Sequence, residues 1–397
     1  MHNQAVIVDY VRTAFAKASP PGSGKAPGRF ADLDPVDMQV PLINAMLRRT
    51  GLDPAHINKV LTGAVHQEGT HGLNIARLNV LHEECKLPKE VGGTTIDRFC
   101  GSSMEAIALA DALIGRNPEH FYICTGVQSM SQVPMGGLNP HLCPQVHSGN
   151  AAGFMDMPAT AENLAQKYGI ERTEQDNFAL RSHSLAAQGQ DNGHFKNEII
   201  PVKGLDYDDG VRRDTTAESI ARLNPIKAAE SGGTVTAANA SQMTDGASAV
   251  LVTSALMAVR HKLPVLARIV AFGESGCAPE IMGIGPVDAI KDAFNKSGLS
   301  MQDMDFVELN EAFAAQSIAV LRELKNQGMQ IPNEKVNVDG GAIAMGHPLG
   351  ASGARLVGHV AETLRRENGR YGLATMCIGG GQGVAMIVEN PHYKPAP

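Results

Sequence analysis

Cys100 stands in "TTIDRFCGSSMEAIALADALIG" (residues 94–115), where a strand-like run gives way through Gly-Ser-Ser to a helical pattern. A thiol at such a junction faces unpaired N–H groups and the positive end of the helix dipole, which favours thiolate and nucleophilic chemistry. The plainer alternative is a small buried side chain, the fate of most cysteines. Gly101, Ser102 and Ser103 leave room for a substrate and suit a helix start. The helix behind is apolar on nearly every side, with Met104, Ile107, Ala108, Leu113 and Ile114. It is expected to be buried and to give the thiol a rigid mount.

Three further stretches carry candidate chemistry. In "GGAIAMGHPLGASGAR" (340–355), Pro348 keeps His347 out of the α region, and a helix with Leu356, Val360 and Leu364 on one face follows. A lone turn histidine would suggest a structural hydrogen bond. One framed by glycines at a strand-to-helix junction reads as a positioned acid/base. In "TMCIGGGQG" (375–383), Cys377 ends an apolar strand before a run of glycines. Such a loop can aim backbone N–H groups at a developing oxyanion or can be an ordinary turn. No Lys-Ser/Thr follows, which argues against a P-loop. In "ELNEAFAAQ" (308–316), a strand ends at Leu309 and Asn310 and Glu311 open a helix, so Asn310 alone would read as an N-cap.

The elements that must position these residues alternate. "NKVLTGAV", "TTIDRF" and "HFYICTGV" read as strands, and "GLNIARLNVLHE" and "SMEAIALADALIG" as helices, which predicts α/β layers. Residues 17–28 read as a surface loop. Residues 129–243 are richer in Met, Pro, Asn and charge and read as a helical and loop insertion. Alternation resumes with "ASAVLVTS", "DFVELN", "EKVNVDGG" and "GLATMCIGGGQGVAMIVEN". The Cys100 turn, its helix and the next strand repeat weakly as the His347 turn, its helix and "GLATMCIGGG", which suggests duplication. The expected units are 1–128 with 244–267, the insertion 129–243, and 268–397.

Composition narrows the function. The 397 residues are 43% hydrophobic and 19% charged, which fits a soluble globular protein of two or three domains. A formal charge of -7, with no interleaving of basic and aromatic residues, argues against nucleic-acid binding. The six cysteines lack CxxC spacing and read as reduced thiols of a cytoplasmic protein. No run is long enough to span a membrane, and neither a signal-peptide core nor a lipidation signal is present.

Together with "NIAR" (74–77) and "GTVTAANASQMTDGASAV" (233–250), the four stretches resemble the thiolases, and most closely the degradative 3-ketoacyl-CoA thiolases of fatty-acid β-oxidation. The resemblance covers nearly the whole chain. It implies two duplicated βαβαβαββ halves with mixed five-stranded sheets in a layered α/β/α/β/α core, plus a CoA-binding loop domain. It also implies Cys100 as the acyl-carrying nucleophile and Cys377 as the mover of the α-proton. His347 activates thiols and helps bind the thioester oxygen, and Asn310 holds a water that stabilises the enolate with His347. Gly379 joins Cys100 in an oxyanion hole through their N–H groups. Ser241, and more loosely Arg212 and Ser219, contact CoA. Coenzyme A is then a co-substrate and neither metal nor other cofactor is expected. Partners would be acyl-CoA, a second or fourth copy of the chain, and for some bacterial members the α-subunit of a β-oxidation complex.

Asp97 stands where the family more often has Asn. Asp156 and Pro158 stand where short-chain biosynthetic members usually carry His and Gly, and the Cys100–Thr160 stretch is shorter than theirs. Rival readings are an acetoacetyl-CoA thiolase working synthetically, a ketoacyl synthase, a non-enzymatic CoA- or lipid-binding relative and a Cys-His-Asn hydrolase. "CIGGGQG" counts against the synthase, and the second cysteine against the hydrolase.

Overall fold

The apolar run after Gln4 forms β1 (Ala5–Arg12), buried along its whole length, as befits a strand covered on both faces. The computed structural model describes residues 4–19, 22–227 and 232–395. The start of the expected first strand, Pro20 and Pro21 of the expected loop, and the last two residues lie outside these.

β1 is followed by β2 (Ala16–Lys17), β3 (Ile57–Ala64), β4 (Gly92–Ile96), β5 (Phe121–Ser129) and β6 (Thr244–Ser254). Along the sheet the order is β4-β3-β5-β6-β1, with β3 parallel to β4 and β5, and β6 antiparallel to β5 and β1. The short β2 pairs with β6. The second set is β7 (Ala267–Gly276), β8 (Phe306–Leu309), β9 (Tyr371–Ile378) and β10 (Gln382–Glu389), ordered β7-β10-β9-β8. Only β8–β9 is parallel in it. The two sets run into one another where Val6 faces Arg268 and Ile7 faces Ala267.

The expected strand at "EKVNVDGG" is absent among the described residues. Val336 makes a single bridge to Val307, and Asn337 turns left-handed at φ 48°. Its side chain takes over the pairing: Oδ1 accepts from Leu309 N–H at 2.8 Å and Nδ2 donates to Leu309 C=O at 2.9 Å. A side-chain amide thus stands in for a main-chain neighbour, leaving four strands in this set.

Helices fill the layers. Helix Pro35–Thr50 covers the outer face of the first set, and its Met38, Leu42, Ile43 and Met46 are buried there. Helices Gly285–Ser297 and Ala314–Asn326 cover the second set through Ile290, Phe294, Val320 and Leu324. Between the sets lie the two helices that follow Cys100 and His347, Ser102–Arg116 and Leu349–Glu367. They approach so closely that a Cβ on Gly353 would come within 2.5 Å of Met104 N. Leu356, Val360 and Leu364 are fully buried, as their spacing predicts. Among the described residues no helix is long and apolar enough to cross a membrane.

Between β5 and β6 the described residues add no strand to the sheet. Helix Met157–Tyr168 starts at Asp156, whose carboxylate accepts from Ala159 N–H at 3.0 Å, and ends at left-handed Gly169. With helix Arg172–Asp191 it packs on Ala314–Asn326. A buried ionic cluster ties this segment to the rest: Arg12 pairs with Asp208 at 2.6 Å and Glu198 at 3.2 Å, and Glu198 with His359 at 2.5 Å.

Candidate active site

The inner face of the Ser102–Arg116 helix, buried through Met104, Ile107 and Ile114, fixes the position of Cys100, whereas Ala108 and Leu113, expected inside, are only partly buried. The turn before it is tense, because Phe99 holds φ 45°, a left-handed conformation unusual for an aromatic residue and costing about 1–3 kcal/mol. Asp97 supports it: Oδ1 accepts from Phe99 N–H and Oδ2 from His66 N–H, each at 3.0 Å. Arg98 braces the other side, reaching Glu105 at 2.6 Å, Glu274 at 2.9 Å and Gln382 at 3.2 Å.

The thiolate expected at this junction is not what the surroundings favour. Burial pushes the Cys100 thiol up to about 11. Hydrogen bonds from the N–H groups of Gly379 and of Cys100 itself oppose that rise but do not cancel it, and the charge of Asp97 adds to it. Desolvation outweighs the dipole, so Cys100 rests as a thiol and needs a base.

His347 can be that base. It follows a one-turn helix, Ala342–Met345, in a stretch whose glycines argue against both helix and plain strand, and Gly346 at φ 108° makes the reversal. Its N–H donates to Thr244 Oγ1 at 3.1 Å. Ser352 Oγ donates to Pro348 C=O at 3.0 Å and sits 2.6 Å from His347 Nδ1. With the hydroxyl proton so used, Nδ1–H donates to Ser352. Nε2 keeps its lone pair toward Asn310 Nδ2, 3.3 Å away. Burial holds the imidazole down at about 4, so it is neutral at physiological pH.

Asn310 lies outside any helix, contrary to the N-cap expectation. The helix begins at Ala314, and Asn310 is anchored by its N–H on Thr375 C=O at 3.0 Å. Glu311, also expected at a helix start, is fully buried. It accepts from Ser182, Asn337 and the Ile343 N–H, which secures the loop before His347. Cys377 lies one residue before the end of β9, among Ala240, Met282, Ala312 and Phe313. Burial, and then the neighbouring Cys100, push its thiol well above the usual range. The β9–β10 turn needs its glycines, since Gly380 and Gly381 hold φ 79° and 88°.

Cys100, His347 and Cys377 line one cavity of about 450 Å³, together with Ser241 and Arg212. Gly379 reaches it through its N–H on Cys100. Ser219 is not in its wall; it is exposed, and its hydroxyl caps its own short helix by bonding the Thr216 backbone. Met135, Met157, Met243 and Met282 also line the cavity, giving it adaptable apolar walls. Sequence reasoning missed Ser352, Thr244 and the support given by Asp97. Ser352 was legible in principle, five residues after His347 and facing it across the first helical turn.

Family models for the thiolase N-terminal and C-terminal domains match residues 5–256 and 263–390. A 3-ketoacyl-CoA thiolase of Vibrio cholerae is 42% identical, the match covering 98% of this chain and 100% of that one. One of Marinobacter nauticus is 40% identical, covering 97% of each. Among solved structures, human mitochondrial 3-ketoacyl-CoA thiolase in complex with CoA superposes with a TM-score of 0.86 at 37% identity, covering 98% of each chain. A Bacillus anthracis acetyl-CoA acetyltransferase gives 0.85 at 35% identity, covering 98% of this chain and 99% of that one. Two family models that together span nearly the whole chain, and relatives matched end to end, show that this protein is an acyltransferase of the thiolase family.

Proposed function

We propose that the protein cleaves 3-ketoacyl-CoA with CoA, giving acetyl-CoA and a shortened acyl-CoA. The observation that carries this is the convergence of two resting thiols and one neutral imidazole on a single cavity. Cys100 sulfur attacks the 3-keto carbon while its proton passes to His347 Nε2. The C2–C3 bond then breaks and its electron pair enters the thioester as an enolate, which Asn310 and His347 stabilise. Cys377 gives its proton to C2, releasing acetyl-CoA, and regains one from the imidazolium. In the second half, the CoA thiol attacks the Cys100 thioester with His347 again taking the proton. Cys100 leaves and is reprotonated by His347. The N–H groups of Gly379 and Cys100 hold the thioester oxygen.

One cysteine could not act as nucleophile and proton donor in the same step, so two are needed. Residues 129–243 serve as the CoA-binding segment, with Ser241 and Arg212 along the CoA path. Ser219 acts through its capping turn. A cytoplasmic setting agrees with the six free thiols. A homodimer or homotetramer agrees with the outer edge of β4, which pairs with no other strand among the described residues, and with the exposed Leu73, Leu81 and Phe99. Association with the α-subunit of a β-oxidation complex is part of the same proposal.

Labelling with radioactive acyl-CoA tests it: Cys100→Ser should carry no label, and full stoichiometry in that variant would remove Cys100 from the role. Cys377→Ala should still accept an acyl group from a simple thioester but fail at carbon–carbon cleavage. Turnover on acetoacetyl-CoA against a long-chain 3-ketoacyl-CoA, alongside native mass, separates the degradative from the synthetic assignment.

A further inference from the structure

Asp97 is the acidic departure beside the nucleophile, and its surroundings assign it work. Its carboxylate accepts two backbone N–H groups from different turns, that of Phe99 one residue before Cys100 and that of His66. His66 is itself left-handed, at φ 53°, and its ring meets the Phe99 ring edge-on with centroids 6.1 Å apart. His66 Nε2 accepts from Gly136 N–H at 3.1 Å. Two residues on, Glu68 accepts from Leu138 N–H at 2.5 Å and Asn139 N–H at 3.0 Å. The segment so held carries Met135, which lines the catalytic cavity.

We propose that Asp97 is a positioning residue for Cys100. Its carboxylate joins the strained nucleophile turn to the 66–68 turn, and through it to the 136–139 segment that presents Met135 to the cavity. Only a carboxylate supplies both bonds. The Asn more usual in the family offers one acceptor oxygen, and its NH2 would face the second N–H donor. The chain therefore holds its nucleophile turn from two sides, Arg98 against the second strand set and Asp97 against the first.

The proposal rests on the thiolase reading, and the test separates the two. Wild type, Asp97→Asn and Asp97→Ala would be compared by steady-state thiolysis and by iodoacetamide modification of Cys100, followed by mass spectrometry of the Cys100 peptide. Asp97→Asn keeps the turn bond and loses only the link to His66, so it remains informative where Asp97→Ala folds poorly. For Asp97→Ala we expect kcat to fall about tenfold or more, because small misplacements of reacting groups are costly. Asp97→Asn should fall about threefold, and KM for CoA should stay within about twofold in both. Alkylation of Cys100 should be at least as fast as in wild type, since a negative charge leaves and the turn loosens. A nucleophile easier to alkylate but slower to turn over is the signature of lost positioning. Unchanged kcat, slower alkylation, or losses that only track the folded fraction would overturn the proposal. Absence of thiolysis in wild type would instead sink the proposed function, while the alkylation rates still report whether Asp97 controls the surroundings of Cys100.

Discussion

Two buried histidines flank the first turns of one helix, Leu349–Glu367, and their surroundings drive them in opposite directions. His347 meets a hydroxyl and an amide, with Ser352 Oγ at 2.6 Å and Asn310 Nδ2 at 3.3 Å. Burial is unopposed there and holds it at about 4. His359 is equally buried, but Glu198 lies at 2.5 Å, Asp339 at 3.3 Å and Glu308 at 3.9 Å. Burial pulls it down, the three carboxylates outweigh burial, and it stands at about 10. Carboxylate supply, more than depth, decides the charge state. The imidazole proposed to take a proton and return it is kept from carboxylates. A cation that binds three chain segments together is surrounded by them.

The largest expected effect is on the neutral side. His347→Gln should lower kcat by about 10²–10⁴-fold, the usual range for a positioned general base, with little change in folding. A variant retaining most of its turnover would leave His347 as a structural turn residue. Next comes the charged side. His359→Leu takes the shared cation from Glu198, Glu308 and Asp339, which keep only Arg12, Arg355 and Arg366 respectively among the arginines, and should cost on the order of 3 kcal/mol of stability. Specific activity of the folded fraction should be kept. Urea midpoints and active-site titration read the two separately, and a stable variant would show that the cluster is dispensable.

The same contrast has a pH signature. The folded pKa of His359, about 10, lies above the 6.5 of an ordinary histidine. Its contribution is therefore complete below about pH 6.5 and is lost as pH rises through 10, up to a few kcal/mol. His347, at about 4, works the other way: its contribution is present above about pH 6.5 and is lost as pH falls through 4. Subtracting variant from wild-type stability across pH should show a slope between 6.5 and 10 for His359→Leu and an opposite slope between 4 and 6.5 for His347→Gln. Slopes of the same sign would refute the assigned charge states. A smaller effect is expected at Ser352. Ser352→Ala removes the acceptor of the His347 Nδ1–H, freeing the ring to rotate and change tautomer. It should lower kcat about tenfold while KM for CoA stays near wild type.

The neutral site was legible in the sequence and the charged cluster was not. Cys100, His347 and Cys377 each sit at a break in periodicity marked by glycines, a local signal that survives without coordinates. The partners of His359 come from Glu198, 161 positions away, and from Glu308 and Asp339, with nothing local to announce the meeting. "EKVNVDGG" looked like a strand because its valines alternate, but Asn337 replaces the ladder with its own amide. The thiolate expected for Cys100 failed because helix position can be read from a sequence and depth of burial cannot. Asp97 was visible as an oddity and acquired a role only when His66 was brought beside it.

The smallest expected effect lies where charge meets water, and it sharpens the contrast with His359. Asp156 and Lys227 pair at 2.5 Å, yet both side chains are about half exposed, at 49% and 51%. An ion pair so placed is screened and contributes about 0–1 kcal/mol. Asp156 does a second job, accepting from Ala159 N–H as the N-cap of helix Met157–Tyr168. Losing a cap costs about 1 kcal/mol. Lys227→Met should therefore shift the urea midpoint barely, and less still at high salt, whereas Asp156→Ala should shift it measurably at any salt. Asp156→Asn, which keeps a capping oxygen and discards the charge, should follow Lys227→Met. If Lys227→Met proved as costly as Asp156→Ala, the pair rather than the cap would hold this helix start. The distinction between a cation enclosed by carboxylates and one that merely touches a carboxylate in water would then fail for this protein.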